Sequence, residues 1–228
     1  MRKMNKLSVI FLTSILIVCS LSPLFAGVGV QSVGVNFGWY RPSLNYWNTK
    51  SDIANWSSSF NGSFIGQVNL VATLIPPLRA RIELGYWRES VKQQNTRIGI
   101  DIGTEEVTLN LIPITATLLV DLPFVDYKGI TAYAGAGASS IVIRKTYLRA
   151  PRNFPYFLET KAGLDNSAHF ILGAEKQIAK GLSFGVEFRY LLGSYIQLVE
   201  DTPGVITEEK VSISGPQIFF SWIYLLHN

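Results

Sequence analysis

Residues 182–190 read LSFGVEFRY. Phe184, Val186, Phe188 and Tyr190 alternate with Gly185, Glu187 and Arg189. Successive side chains of an extended chain point to opposite faces, so this stretch is a strand with one apolar face and one face of glycine and opposite charges. Arginine and glutamate at mid-strand, without lysine, describe an enclosed, ion-paired interior rather than a solvated surface. Enclosed charges must be paired, and the guanidinium fork pairs carboxylates well.

Working outward, the same period of two recurs. Val33, Val35, Phe37 and Trp39 alternate with Gly34, Asn36, Gly38 and Tyr40. Residues 63–74 set Phe64, Val68, Leu70, Ala72 and Leu74 against Gln67, Asn69 and Thr73, and Pro76–Pro77 end that strand because proline donates nothing to a ladder. Residues 79–90 set Ala80, Ile82, Leu84 and Tyr86 against Arg79, Arg81, Glu83 and Gly85. Residues 104–121 place Val107, Leu109 and Leu111 opposite Thr108 and Asn110, and Pro113 predicts a bulge that shifts the facing. Residues 130–145 are so rich in alanine and glycine that their faces stay unassigned. Residues 167–178 set Phe170, Leu172 and Ala174 against His169, Gly173 and Glu175. Residues 211–226 set Ile218, Phe220, Trp222, Tyr224 and Leu226 against Gln217 and Ser221.

The connections alternate as well. Residues 41–62, 91–103, 146–166 and 197–210 are long and polar, whereas 75–78, 122–129 and 179–181 are short. Long loops at one end and short turns at the other, with the polar faces enclosed, predict an all-β fold. The expected form is an eight-stranded antiparallel up-and-down transmembrane β-barrel with both termini on the short-turn side. Tyr86, Trp87, Tyr127, Tyr133, Tyr190, Trp222 and Tyr224 fall towards strand ends, as an interfacial girdle requires.

Composition agrees. Hydrophobic residues make up 48% of the 228 and charged residues 16%, too little charge to solvate an ordinary globule. The net charge of +4 owes much to Arg2, Lys3 and Lys6, so no nucleic-acid partner is expected. That basic start, the apolar run Leu7–Cys19 and the small Ala26 have the layout of a secretory signal peptide over residues 1–26, leaving 27–228 as one barrel domain. Cys19 is the sole cysteine, so the mature chain is expected to hold without disulfides.

The order of ITAYAGAGASSIV (130–142), AHFILGAEKQIAKGLSFGVEFRYLLGS (168–194) and GPQIFFSWIYLL (215–226) resembles the last four strands of the OmpA-like outer-membrane β-barrel proteins. The shared features are a Tyr-x-Gly-x-Gly strand, a Gly-Ala-Glu strand, a short turn and a Gly-x-Glu-x-Arg-Tyr strand. The resemblance implies the outer membrane as location, with lipid, lipopolysaccharide and the outer-membrane assembly machinery as partners. Members of that group end on an aromatic residue, whereas this chain runs on through Leu225, Leu226 and His227 to Asn228.

Arg81, Glu83, Glu175, Glu187 and Arg189 are the candidate site. The third and seventh strands oppose each other across such a barrel and the sixth and seventh are neighbours, so these five side chains are expected to meet at one depth in the lumen. They would form a salt-bridged plug or, alternatively, the gate of a narrow porin-like channel. Leu44, Trp47, Ile53, Trp56 and Phe60 fall at roughly helical spacing and predict a short amphipathic helix at the barrel mouth. Arg144, Lys145, Arg149, Arg152 and Lys161, interleaved with aromatics, offer cations to lipid phosphates.

Two histidines, His169 and His227, are too few for a zinc site or a histidine-based triad, and no catalytic residue, cofactor or metal is expected. A lipid-modifying barrel enzyme is a lesser alternative. Ser167 and His169 share a face, but in the reverse order from similar lipid-active barrels and on the inward side. The expectation is therefore a structural or surface-interacting outer-membrane barrel, its long loops available to a surface partner.

Overall fold

The computed structural model describes residues 30–49, 59–97, 100–127, 129–151, 157–202 and 205–226. The strands are β1 (Val30–Tyr40), β2 (Ser63–Ile75), β3 (Leu78–Arg97), β4 (Ile100–Tyr127), β5 (Ile130–Pro151), β6 (Phe157–Ala179), β7 (Leu182–Thr202), β8 (Val205–Ser212) and β9 (Gly215–Leu225), with one short helix, α1 (Asn45–Thr49). Strands β1 to β7 pair in chain order, β7 pairs β9, and β9 pairs β1, all antiparallel. The sheet thus closes into an eight-stranded barrel. The signal-peptide expectation for residues 1–26 lies outside the described residues.

The direction of each face is fixed by burial. Phe220 is 52% exposed while its neighbour Ser221 is 3% exposed, and the same contrast separates Phe188 from Glu187 and Leu84 from Glu83. The apolar face is therefore the outer face and the charged face lines the lumen, the reverse of a soluble barrel. Among the described residues no helix is long and apolar enough to cross a membrane.

Pro113 does not shift the facing. The β3–β4 ladder skips the rungs beside it, then resumes with Trp87 opposite Leu111 in the register of Leu84 opposite Ile114. Gly85 lies alongside, where a Cβ would come within 2.9 Å of the proline ring, so a residue without a side chain accommodates the ring and the register runs on unshifted. With parity preserved, Val107, Leu109 and Leu111 point inward and are buried. Trp87 and Tyr133 are buried inside too, so neither belongs to an outer girdle, whereas Tyr86, Tyr190, Trp222 and Tyr224 are exposed.

The fifth strand resolves in the same way. Tyr133, Ser139, Ile141 and Ile143 are buried, while Ala136 and Ala138 face out. Its inward glycines make room for bulk: a Cβ at Gly137 would lie 2.7 Å from the His169 ring, and one at Gly173 on β6 would lie 2.4 Å from the Tyr133 ring.

Three of the four expected long loops are largely strand. Residues 91–97, 100–103, 146–151, 157–166, 197–202 and 205–210 continue the hairpins β3–β4, β5–β6 and β7–β8. Their polar residues pair across strands, as Lys92 does with Glu106 at 3.2 Å. At 28 residues, β4 far exceeds the roughly 9–11 residues needed to cross a bilayer, so these hairpins form a collar beyond it. The expected eighth strand, 211–226, is two: β8 completes the β7 hairpin from Ser194 to Thr202, and β9 begins after Ile213 and Ser214 and completes the barrel.

Candidate functional site

The lumen is filled in layers. At mid-depth Arg81 and Glu83 project from β3, and Glu187 and Arg189 from β7, by the parity of their strands. Arg189 Nη2 donates to both carboxylate oxygens of Glu83 at 2.8 and 2.9 Å and to Glu187 Oε1 at 2.9 Å. Arg81 Nη1 donates to Glu187 Oε2 at 2.7 Å, and its Nε lies 3.5 Å from Glu83 Oε1. Two cations and two anions close a charge-balanced ring in which every side chain is at most 5% exposed.

Neutral groups complete it. Asn36 Nδ2 donates to Glu83 at 3.1 Å, Asn69 Nδ2 donates to Asn36 at 3.0 Å, and the Tyr133 hydroxyl donates to Glu187 at 3.0 Å. The Arg189 guanidinium also lies 5.0 Å from the centre of the Phe219 ring. Six of the barrel's eight strands thus contribute to one network.

Glu175 does not join these four. It accepts from Arg79 Nη1 at 2.9 Å in a second cluster nearer the short turns, where Arg79 Nη2 also meets Asp121 at 2.5 Å and the guanidinium stacks 5.2 Å from the Tyr133 ring. Glu175 sits opposite Gly185, while Gly173 sits opposite Glu187, so the two carboxylates lie on different rungs. The second cluster was legible in part: Arg79 has the parity of Arg81, and Asp121 has the parity of Thr115 and Thr117. Beside both clusters a cavity of about 30 Å³, lined by Asn36, Asn69, Arg79, Arg81, Tyr133 and Glu175 among others, has room for water.

Above the ring the interior turns apolar. Ile65, Trp87, Val107, Leu109, Ile141, Leu191 and Phe219 form a buried cluster that reaches the mouth. There the chain after β1 folds inward: Leu44, Trp47 and Phe60 are buried in the cluster, and α1 packs beside β8. Trp47 Nε1 donates to the Tyr195 hydroxyl at 2.8 Å, Lys145 Nζ lies 5.1 Å from the Trp47 ring centre, and the Tyr40 hydroxyl donates to the Ile213 carbonyl. Asn48 exchanges two 3.0 Å bonds with the backbone of Phe60. The described helix is five residues long, and Ile53 and Trp56 lie outside the described residues.

Ser167 and His169 are both buried on the lumen side. The His169 ring bonds Thr117 through Nε2 at 2.9 Å, so it is engaged by a threonine rather than by Ser167. Of the basic segment, Arg149 pairs with Glu105 at 3.1 Å, and Arg152 lies outside the described residues.

A closed ring of eight antiparallel strands, apolar outside and ion-paired inside, decides the architecture. The chain has the fold of the outer-membrane β-barrel proteins. Its structure is similar to a major outer membrane protein from Thermus thermophilus, with a TM-score of 0.58 at 12% identity, covering 87% of this chain and 100% of that one. It is also similar to the outer membrane protein OprG from Pseudomonas aeruginosa, with a TM-score of 0.51 at 12% identity, covering 87% of this chain and 97% of that one. No family model matches the chain, and no curated protein matches it. In this outer-membrane barrel fold the candidate residues are wall-to-wall ties, and the chemistry their geometry performs is electrostatic cross-linking of opposite strands.

Proposed function

We propose that the protein resides in the outer membrane as a non-conducting structural barrel. Its collar of hairpins would face outward to meet surface partners, and the assembly machinery of that membrane would insert it. The outward apolar band and the likeness to two outer-membrane proteins support the location. The observation that supports a closed state is the ring of Arg81, Glu83, Glu187 and Arg189, stacked beneath a cluster of buried apolar side chains among the described residues. An ion crossing it would have to leave water for a buried apolar cluster, at a cost of several kcal/mol or more.

Two measurements test this together. Protein from an outer-membrane fraction should migrate faster unboiled than boiled, as closed barrels do. In planar bilayers it should pass no current, and Arg81→Ala should lower thermal stability without opening a conductance. A steady single-channel current from the wild type, altered in size by Arg81→Ala, would instead establish the narrow-channel reading.

A further inference from the structure

In the collar, β6 and β7 part company. Their ladder ends at Ser167 opposite Gly193, yet both strands run on, β6 as far as Phe157 and β7 as far as Thr202. From Ser194 onward β7 pairs β8, which takes over on the side that β9 occupies below. Among the described residues no strand pairs the other edge of β7, nor the edge of β6 that faced it. On β6, Thr160, Lys161, Ala162 and Gly163 are exposed in succession, so neither face of that stretch is packed.

Gly193 shows where the uncovered main-chain groups of β7 point. Its N–H donates to Ser214 Oγ at 3.0 Å and its carbonyl accepts from the Ile213 N–H at 3.0 Å, both on the β8–β9 side. Main-chain groups along a strand alternate sides from one residue to the next, so Ser194, Ile196, Leu198 and Glu200 turn theirs to the open side. Beside that row, on the outer face, Ile196 and Leu198 are 62% and 54% exposed. Their neighbours across the β7–β8 ladder are Lys210 and Glu208, both exposed, so these rungs stand in water and not in lipid. Open sheet edges are ordinarily guarded by charge, proline or a bulge. The β6 edge follows that rule, with Glu159, Lys161 and Asp165 in its sequence. The β7 edge departs from it: residues 194–199 read SYIQLV, uncharged and without proline.

A row of main-chain donors and acceptors is matched by another extended main chain, and the apolar side chains flanking it by apolar residues at alternate positions. A second copy in the same membrane would bring its own β7 running outward in the same sense, which allows only the less stable parallel ladder. A free segment can run against β7. We propose that residues 194–200 of β7 take up an extended segment of a partner protein as an added antiparallel strand, one with branched apolar residues at alternate positions and no proline. The inference rests on the outward-facing collar of the reading above, and it names how a surface partner is held there.

The test uses the purified full-length protein in lipid nanodiscs and a fluorescein-labelled peptide, Lys-Thr-Ile-Thr-Val-Thr-Ile-Thr-Lys. The control peptide carries proline in place of the central valine. Fluorescence anisotropy should show saturable binding of the first peptide, roughly tenfold or more tighter than of the control. Amide exchange should slow at Ser194, Ile196 and Leu198 when it binds. I196K/L198K, which guards this edge with charge, should lose the binding while still migrating unboiled as a folded barrel. Equal binding of the two peptides, no saturable binding, slowed exchange confined to other strands, or undiminished binding by the folded double variant would each overturn the proposal. Loss of the folded band in I196K/L198K would place these rungs in lipid and overturn it too. Unboiled migration of the wild type reads the barrel alone, so a failure of the edge is distinguishable from a failure of the outer-membrane reading.

Discussion

Arg189 on β7 grips Glu83 on β3 through both carboxylate oxygens, at 2.8 and 2.9 Å, across the full width of the lumen and 106 residues apart in sequence. The bond joins opposite walls, so it resists shear and flattening of the barrel in a way that neighbouring ladders do not.

Arg189→Met therefore removes the cation that Glu83 and Glu187 share, leaving two buried carboxylates to Arg81. Breaking a buried pair from one side costs about 3–5 kcal/mol. Urea titration of the folded band on gels should show that loss for Arg189→Met, and a clearly smaller one for Glu83→Gln/Arg189→Met. A double variant as unstable as the sum of its parts would mean the two residues are not coupled.

Gly173 lies flat beneath the Tyr133 ring, where a Cβ would stand 2.4 Å from the ring carbon bearing the hydroxyl. Gly173→Ala must push that ring away and loosen the Tyr133–Glu187 bond, at about 1–3 kcal/mol for an overpacked interior. In a Tyr133→Ala background the same change should be nearly silent, since the obstructing ring is gone.

Phe220 lies mid-strand on the outward face of β9, between the apolar Ile218 and Trp222. Phe220→Arg should destabilise the barrel in lipid by about 2–4 kcal/mol, as cations do near the bilayer midplane. Leu158→Arg, on an equally exposed residue of the β6 collar, should cost no more than about 1 kcal/mol, as expected beyond the interface. Equal penalties at the two positions would place the bilayer elsewhere on the wall.

At the mouth, Trp47 is held by the Tyr195 hydroxyl at 2.8 Å and buried in the apolar plug. Tyr195→Phe removes the hydroxyl that accepts this buried indole N–H and should cost about 1–3 kcal/mol. Trp47→Ala removes the ring itself and should cost about 3–5 kcal/mol. Melting of the folded band should rank the two in that order.

Much of the wall is legible in the chain because side-chain alternation is a local property. Glu187 and Arg189 share a face whatever the other strands do, and Asn36, Asn69, Arg81 and Glu83 follow from the same parity. Trouble came where parity and hydrophobicity disagreed. Val107, Leu109 and Leu111 are apolar yet point inward, because the outer third of the lumen is filled with apolar side chains and Pro113 leaves the register intact. Their odd-numbered parity, shared with Thr115 and Thr117 across Pro113, already sets them on the inward face.

The sequence by itself determined that strands recur with an apolar and a charged face, that short turns alternate with long polar connections, and that arginine and glutamate share the enclosed side. Depth was decided only by closure. The stagger between neighbouring strands sets which rung faces which across the lumen, and it placed Glu175 with Arg79 and Asp121 while leaving Glu83, Glu187, Arg81 and Arg189 together. Stagger belongs to the closed ring and not to any one strand, since each ladder inherits its offset from the next around the barrel. The three polar connections that continue as paired hairpins owe their form to the local ladders of consecutive strands and not to the closure.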